Sequence, residues 1–190
     1  MTPDNLIEFS ALLEKLKCNV RHSWTSSGRR ESVAEHSWRL AVYAMLLERD
    51  FPQLDMGKVV RMCLVHDWGE AVTGDIPAFI KTGEDEETED EAVESILEKL
   101  PEDIGAELRE LFGEMKQQET EEARLYKALD RMEAVIQHNE ADIKTWLPLE
   151  YDLQLSYGEK ETDSFAYTRE LKKAANQISM DKIRENGGRG

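Results

Sequence analysis

Apolar residues recur at helical spacing along most of this chain, and that periodicity limits the fold more than any other feature. Near the N-terminus the pattern consists of Leu6, Phe9, Leu12, Leu13 and Leu16. Steps of three and four residues place such side chains on one face of an α-helix. The chain contains no run of alternating β-branched residues, no internal repeat and no linker. The sequence therefore predicts an all-α protein.

The same pattern places the individual helices. It predicts helices over residues 4–17, 32–50, 55–67, 87–100, 101–112, 120–138 and 164–184. Asp4 is the expected N-cap of the first helix, and Ser32 with Glu35 forms a capping-box sequence at the start of the second.

The length and composition predict one domain. A chain of 190 residues with 40% hydrophobic content is long enough to bury a sizeable core. We expect a single domain over residues 1–186, with a core of about residues 6–138 that the C-terminal helices complete. The glycine-rich residues 187–190 are expected to form a disordered tail.

Charge and cysteine content exclude several classes of partner. The chain carries 40 acidic and 24 basic residues, a net charge of −16, which repels nucleic acid and anionic membranes. Its longest apolar run, residues 40–47, is far shorter than a membrane span.

Cys18 and Cys63 do not form a disulfide framework and are predicted to be buried free thiols. We therefore expect a soluble cytoplasmic protein with a small-molecule partner.

One strongly acidic stretch has no assigned role. Seven of the nine residues in 83–91 are Asp or Glu. The sequence predicts a mobile surface loop that merges into a helix N-terminus, where the helix dipole tolerates acids. A calcium role is open, although the spacing is not that of an EF-hand loop.

Metal-ligating residue types occur on three predicted helices. His66 and Asp67 are adjacent, His36 lies on the preceding helix, and Asp130 borders the buried face of a later one. Alone, His36 could be a core residue and Asp130 could pair with Arg131 or with a neighbouring helix. Together they form a mixed nitrogen and oxygen donor set suited to Mn, Fe, Co, Ni or Zn.

The loop over residues 19–31 is polar and carries several cationic and aromatic side chains. These are Arg21, His22, Trp24, Arg29 and Arg30. They could form a solvated connector or could face a site. His22 is expected on the surface, and His138 is expected at a helix end, outside any site.

Three segments in combination resemble a known superfamily. They are residues 31–37, residues 66–70 with 73–77, and residues 128–131, which bring together a His, a His-Asp pair and a later Asp. This pattern is similar to that of the HD-domain metal-dependent phosphohydrolases, and within them to the 5′-deoxynucleotidase branch. The resemblance covers roughly residues 6–138.

The resemblance implies an HD-domain helical bundle and a set of site residues. His36, His66, Asp67 and Asp130 would bind one divalent metal ion (Mn, Co, Fe, Ni, Zn or Mg), Glu70 and Asp75 would be catalytic carboxylates, Arg21 would grip phosphate, and Trp24 would border the sugar. The loop departs from the family, because bacterial members often place Trp directly after the Arg and Pro where this chain has Arg30. The preference for deoxyribose over ribose therefore stays open.

The implied activity is hydrolysis of (deoxy)nucleoside 5′-monophosphates by a homodimeric phosphomonoesterase. Glu70 would orient or deprotonate the attacking water, and Asp75 would share that task or protonate the leaving oxygen. Two alternatives are another small phosphorylated substrate and a nucleotide-binding module without turnover.

Overall fold

A computed structural model describes residues 1–186 of the chain, so the predicted tail, 187–190, lies outside the described residues. Its α-helices are α1 (Pro3–Cys18), α2 (Val33–Leu46), α3 (Met56–Val65), α4 (Glu70–Thr73), α5 (Gly83–Leu97), α6 (Glu102–Gln117), α7 (Glu121–Glu140), α8 (Glu150–Ser156), α9 (Glu159–Thr162) and α10 (Ala166–Glu185). A short 3₁₀ turn spans Ile143–Thr145. The all-α prediction is confirmed, with one small exception between α1 and α2.

That exception is an antiparallel hairpin, which the sequence did not predict. Strand β1 (Val20–Trp24) pairs with β2 (Arg30–Ser32), with Val20 opposite Ser32 and Trp24 opposite Arg30. Strands of five and three residues are too short for a reliable alternating pattern. The polar loop is thus an ordered ribbon that leads directly into α2.

The centre of the bundle is formed by α2, α3 and α7. Each helix contributes fully buried apolar side chains: Val33, Leu40 and Ala44 from α2, Val59, Met62 and Cys63 from α3, and Leu125, Leu129 and Met132 from α7. Burial of the larger of these side chains stabilises the bundle by roughly 1.5–3 kcal/mol each. The predicted metal ligands therefore lie on, or directly after, the three helices that form this centre.

Several helix boundaries differ from the prediction. Helix α3 ends at Val65, so His66 and Asp67 lie just after this helix and not within it. At α1 and α2 the difference results from local capping. The hydroxyl of Thr2, not Asp4, accepts from the Asn5 N–H, so α1 begins at Pro3. The capping box of Ser32 and Glu35 is confirmed. Helix α2 ends at Leu46, where the Leu47 N–H bonds back to Tyr43 and Ala44 in a tightened last turn.

The acidic stretch is helical, and the predicted mobile loop is wrong. Thr82 and Asp85 form a reciprocal capping box that starts α5 at Gly83. Acids in the first turn interact favourably with the helix dipole, and later ones pair with basic residues, as Asp90 does with Lys116.

Only one of the two cysteines follows the prediction. Cys63 is buried, but Cys18 is exposed because it faces Glu14 on the outer side of α1, with the thiol 3.4 Å from its carboxylate. Within residues 1–186, no helix combines the length and the apolar character that crossing a bilayer requires.

Close packing of α5 requires a glycine at position 69. A Cβ added there would lie 2.6 Å from Glu89 Cγ, 3.0 Å from the Glu89 carbonyl oxygen and 3.2 Å from Val93 Cγ2. We expect Gly69→Ala to lower the free energy of unfolding by about 1–3 kcal/mol, because a backbone atom cannot move aside cheaply. Gly83→Ala is the matched control, because nothing lies within 4 Å of its added Cβ. Equal urea midpoints for the two variants would contradict the prediction.

Candidate metal centre and active site

The four predicted metal ligands meet at one point between α2, α3 and α7. His36 Nε2 lies 3.2 Å from His66 Nε2 and 3.2 Å from Asp130 Oδ1, and His66 Nε2 lies 3.0 Å from Asp67 Oδ2. Two longer pairs, His36 with Asp67 at 3.9 Å and His66 with Asp130 at 3.7 Å, join the same atoms. Donor atoms that each bind one cation at about 2.0–2.2 Å are separated from one another by distances similar to those of these pairs. The arrangement therefore fits one divalent cation.

A second layer of hydrogen bonds orients both imidazoles. His36 Nδ1 pairs with the fully buried carboxylate of Glu133, whose Oε1 accepts from Arg39 Nε at 2.6 Å. His66 Nδ1 lies 2.9 Å from the Cys63 carbonyl oxygen, to which it donates. With the proton on Nδ1, each ring turns the lone pair of Nε2 to the centre, as metal-ligating histidines usually do.

Both carboxylates of the centre carry negative charge. Burial alone would raise the pKa of Asp67, yet His66, His36 and Arg21 hold the pKa well below its usual range. Burial likewise opposes ionisation of Asp130, and Lys127, with Nζ 3.0 Å from Asp130 Oδ2, together with His36 holds that pKa well below the ordinary value. Asp130 pairs with these groups and not with Arg131. Two anionic oxygens and two imidazoles suit a divalent cation.

The hairpin places a guanidinium beside this centre. Arg21 lies on β1, with NH1 3.3 Å from Asp67 Oδ2 and Nε 3.5 Å from Glu31 Oε2. Its side chain is 16% exposed. A largely buried guanidinium next to a metal site is well placed to bind an oxyanion with two hydrogen bonds.

Glu70 starts α4 and is buried against the centre. It offers a carboxylate oxygen within 4.8 Å of oxygens from Asp67 and Glu89. Within residues 1–186 its Oε2 has no hydrogen-bond partner. Burial, with Asp67 and Asp75 nearby, raises the pKa of Glu70 to about 9. Such an unpaired carboxyl is costly for the fold unless a cation, a substrate or water engages it.

Asp75 lies on the wall of an adjoining cavity. Burial raises its pKa, while Arg21 opposes the rise. The cavity is about 110 Å³, and its lining is largely apolar, with Arg21 and Asp75 among the polar residues. Arg21 therefore lines this cavity and also contacts Asp67.

Trp24 does not line this cavity. Its ring lies 5.8 Å from the guanidinium of Arg30, and its carbonyl oxygen accepts from Gln137 Nε2 at 2.6 Å. His22 and His138 line the cavity instead. His138 does lie in the last turn of α7, but its side chain is buried.

Sequence reasoning also missed Glu133 and Glu89. Glu133 lies three residues after Asp130 on the buried stripe of α7, and that spacing was the available signal. Glu89 belongs to the acidic stretch and forms an ion pair with Lys81 near Glu70. Among the seven acids of residues 83–91, the sequence offered no signal to single it out.

Comparison with known proteins identifies the fold family. The sequence profile described as HD domain matches residues 13–172, most of the chain. This protein belongs to the HD domain family. The predicted resemblance and the HD-domain helical bundle are confirmed.

Relatives of this HD domain share both sequence and structure with it. The human 5′-deoxynucleotidase HDDC2 is 39% identical over 140 residues, which cover 72% of this chain and 68% of the relative. The 5′-deoxynucleotidase hdd1 of Schizosaccharomyces pombe is 28% identical over 175 residues, 88% of this chain and 82% of the relative. A crystal structure from Magnetospirillum magnetotacticum, described as a predicted metal-dependent phosphohydrolase, is 29% identical with a TM-score of 0.79 and covers 98% of this chain and 95% of its own.

Proposed function

We propose that this HD domain is a metal-dependent phosphomonoesterase that hydrolyses (deoxy)nucleoside 5′-monophosphates to nucleoside and phosphate. The observation that carries the proposal is the convergence of a two-His, two-Asp donor set, a buried arginine and an unpaired buried glutamate at one point. The relatives named 5′-deoxynucleotidase support the same reaction and substrate class.

His36, His66, Asp67 and Asp130 would hold the divalent ion. Their nitrogen and oxygen donors fit Mn, Co, Fe, Ni, Zn or Mg, and do not select one of them. When bound, such an ion supplies a Lewis acid for a phosphoryl oxygen and a positive charge that favours deprotonation of water.

Arg21 would bind the phosphate. Its NH1 already contacts Asp67 at 3.3 Å, so its guanidinium lies beside the proposed metal position. Phosphomonoesters are dianionic, and a protein with a net charge of −16 repels them at long range. Arg21 and the metal ion would supply the local compensation, with Lys127 beside Asp130 adding a third cation.

Glu70 would orient the attacking water, and would deprotonate it once the positive charge of the bound metal ion lowers the raised pKa of the carboxyl. Its Oε2 is buried without a partner in the described part of the chain, so a water molecule can take that position. Asp75 lines the same cavity as Arg21. It would share this task or protonate the leaving oxygen of the nucleoside.

The reaction is tested by phosphate release from each deoxy- and ribonucleoside monophosphate with added Mn, Co, Mg or Zn. Sugar phosphates, cyclic nucleotides and nucleoside triphosphates complete the panel, because another phosphorylated metabolite is the alternative within the enzyme class. Metal-dependent release from the deoxynucleotides supports the proposal. No release from any nucleotide with any metal contradicts it and favours a binding module.

Arg21→Lys should raise KM for a nucleoside monophosphate by about 10-fold or more, because an ammonium cannot make the paired hydrogen bonds of a guanidinium. Arg29→Lys is the matched control, since Arg29 pairs with Glu35 on the exposed side of the hairpin. Steady-state kinetics at saturating metal would measure both variants. An unchanged KM and kcat for Arg21→Lys would remove Arg21 from the proposed phosphate site.

The homodimer that the resemblance implies and the cytoplasmic location that the composition predicts stay predictions. Size-exclusion chromatography with light scattering would test the first, and cell fractionation the second.

A further inference from the structure

The cavity beside Arg21 is also lined by a second group of polar side chains. Besides Arg21 and Asp75, the side chains of His22, His138 and Glu150 line it. Much of the remaining wall is apolar, including Phe79, Val135, Leu153 and Tyr157. Ligand pockets typically combine an apolar wall with a few polar groups that fix orientation.

Glu150 lies between the two histidines. His22 Nε2 is 3.1 Å from Glu150 Oε1, and His138 Nε2 is 3.6 Å from Glu150 Oε2. Oε2 also accepts from the Leu147 N–H at 2.5 Å, which ties the carboxylate to the start of α8. Neither imidazole Nε2 makes a well-aligned hydrogen bond within residues 1–186, although both atoms are buried. Hydrogen-bonding capacity is thus left open at the cavity wall.

The neighbours of His22 determine its tautomer. Arg30 NH2 lies 3.5 Å from His22 Nδ1, and a guanidinium can only donate. This contact favours Nδ1 of His22 as the acceptor and a proton on Nε2, which lies 3.1 Å from Glu150 Oε1. The Phe79 ring packs against the imidazole in a T-shaped arrangement, with the ring centroids 5.5 Å apart. The contact with His22 gives Arg30 a structural role, whereas the family pattern assigns it none.

His138 is fixed by Trp146. Their rings stack with centroids 4.4 Å apart, and the Trp146 indole N–H donates to the His138 carbonyl oxygen at 3.1 Å. Burial, with His22 and Lys182 nearby, lowers the pKa of His138 to about 4. The ring is therefore neutral at pH 7 and leaves Glu150 without a full positive partner on that side.

We infer that this cavity binds the nucleobase of the substrate, and that Glu150, held between His22 and His138, selects bases with an exocyclic amino group. The inference rests on the proposed function, because the phosphate bound at Arg21 fixes where the rest of the nucleotide lies. An ionised carboxylate accepts hydrogen bonds and donates none, so the amino groups of adenine, cytosine and guanine suit it. Thymine has no amino group, and its exocyclic groups are two carbonyl oxygens, which only accept hydrogen bonds, and a methyl group.

The test compares kcat/KM for dAMP, dCMP, dTMP and 2-deoxyribose 5-phosphate, which lacks a base and reports the phosphate chemistry alone. We expect wild type to favour dAMP and dCMP over dTMP by about 10-fold or more, as a hydrogen bond to a charged group permits. Glu150→Gln, which can still accept from Leu147, should reduce that ratio several-fold. His138→Phe, which keeps the stack on Trp146, tests the second wall residue and should also reduce it. Asp152→Asn removes an exposed carboxylate from the same helix and is the matched control.

A second readout separates this inference from the proposed function. Calorimetric titration of the full protein with 2′-deoxycytidine and with thymidine requires no phosphate chemistry. Binding of 2′-deoxycytidine that Glu150→Gln weakens supports the inference even if no phosphate is released from any substrate. The inference would be overturned if Glu150→Gln left the ratio of kcat/KM between bases unchanged, or if it lowered kcat/KM equally for all four phosphates. It would also be overturned if the enzyme were active but bound neither nucleoside.

Discussion

Asp67→Ala should lose bound metal and lower kcat/KM for nucleoside monophosphates by about 10³-fold or more, which corresponds to the several kcal/mol that a catalytic metal supplies. Asp67 offers an oxygen to the proposed centre at 3.0 Å from His66 and also accepts from Arg21 at 3.3 Å. Removing it therefore takes away a ligand and leaves the guanidinium without this anchor. Elemental analysis after dialysis and phosphate release with saturating metal would measure the two effects.

Asp50→Ala is the control for this variant, because Asp50 is an exposed aspartate in the turn after α2. Helical content from circular dichroism should be the same for both proteins, so that loss of activity is not loss of fold. Metal content and turnover like those of wild type would show that Asp67 is not a ligand, and the proposed centre would then be wrong.

Glu70→Gln should lower kcat by about 10²–10⁴-fold, the usual contribution of a general base, and change KM little. The amide keeps the shape of the carboxyl but cannot take a proton. Bound metal should stay at the wild-type level, since Glu70 is not one of the four proposed ligands. Pre-steady-state phosphate release at saturating substrate would show whether the chemical step is the one that slows.

Glu89→Gln is the matched control within the same carboxylate cluster. Glu89 lies within 4.8 Å of Glu70 and Asp67 but pairs with Lys81, so its replacement should cost only a few-fold in kcat. An unchanged kcat for Glu70→Gln would exclude the proposed role. Loss of bound metal in Glu70→Gln would instead indicate that Glu70 is a metal ligand.

Residue type and spacing were sufficient to predict the proposed metal ligands. His36 and Asp130 lie on helices whose buried faces the apolar periodicity marks, and His66 and Asp67 directly follow a third such helix, so that the four donor side chains meet inside the bundle. The all-α class followed from the same periodicity. The acidic helix was missed because its capping box at Thr82 and Asp85 was not weighed against the charge of the stretch. The hairpin was missed because its strands are too short to show a period.

The sequence by itself determined which helix faces are apolar and which donor residues they carry. Only the tertiary structure decided which side chains meet across helices. The contact of His36 with Glu133 joins residues 97 positions apart, and the group of His22, His138 and Glu150 joins a hairpin, the end of α7 and the start of α8. Periodicity fixes the direction of a side chain relative to its own helix axis. It carries no information on the packing partner, because many pairings bury the same apolar area.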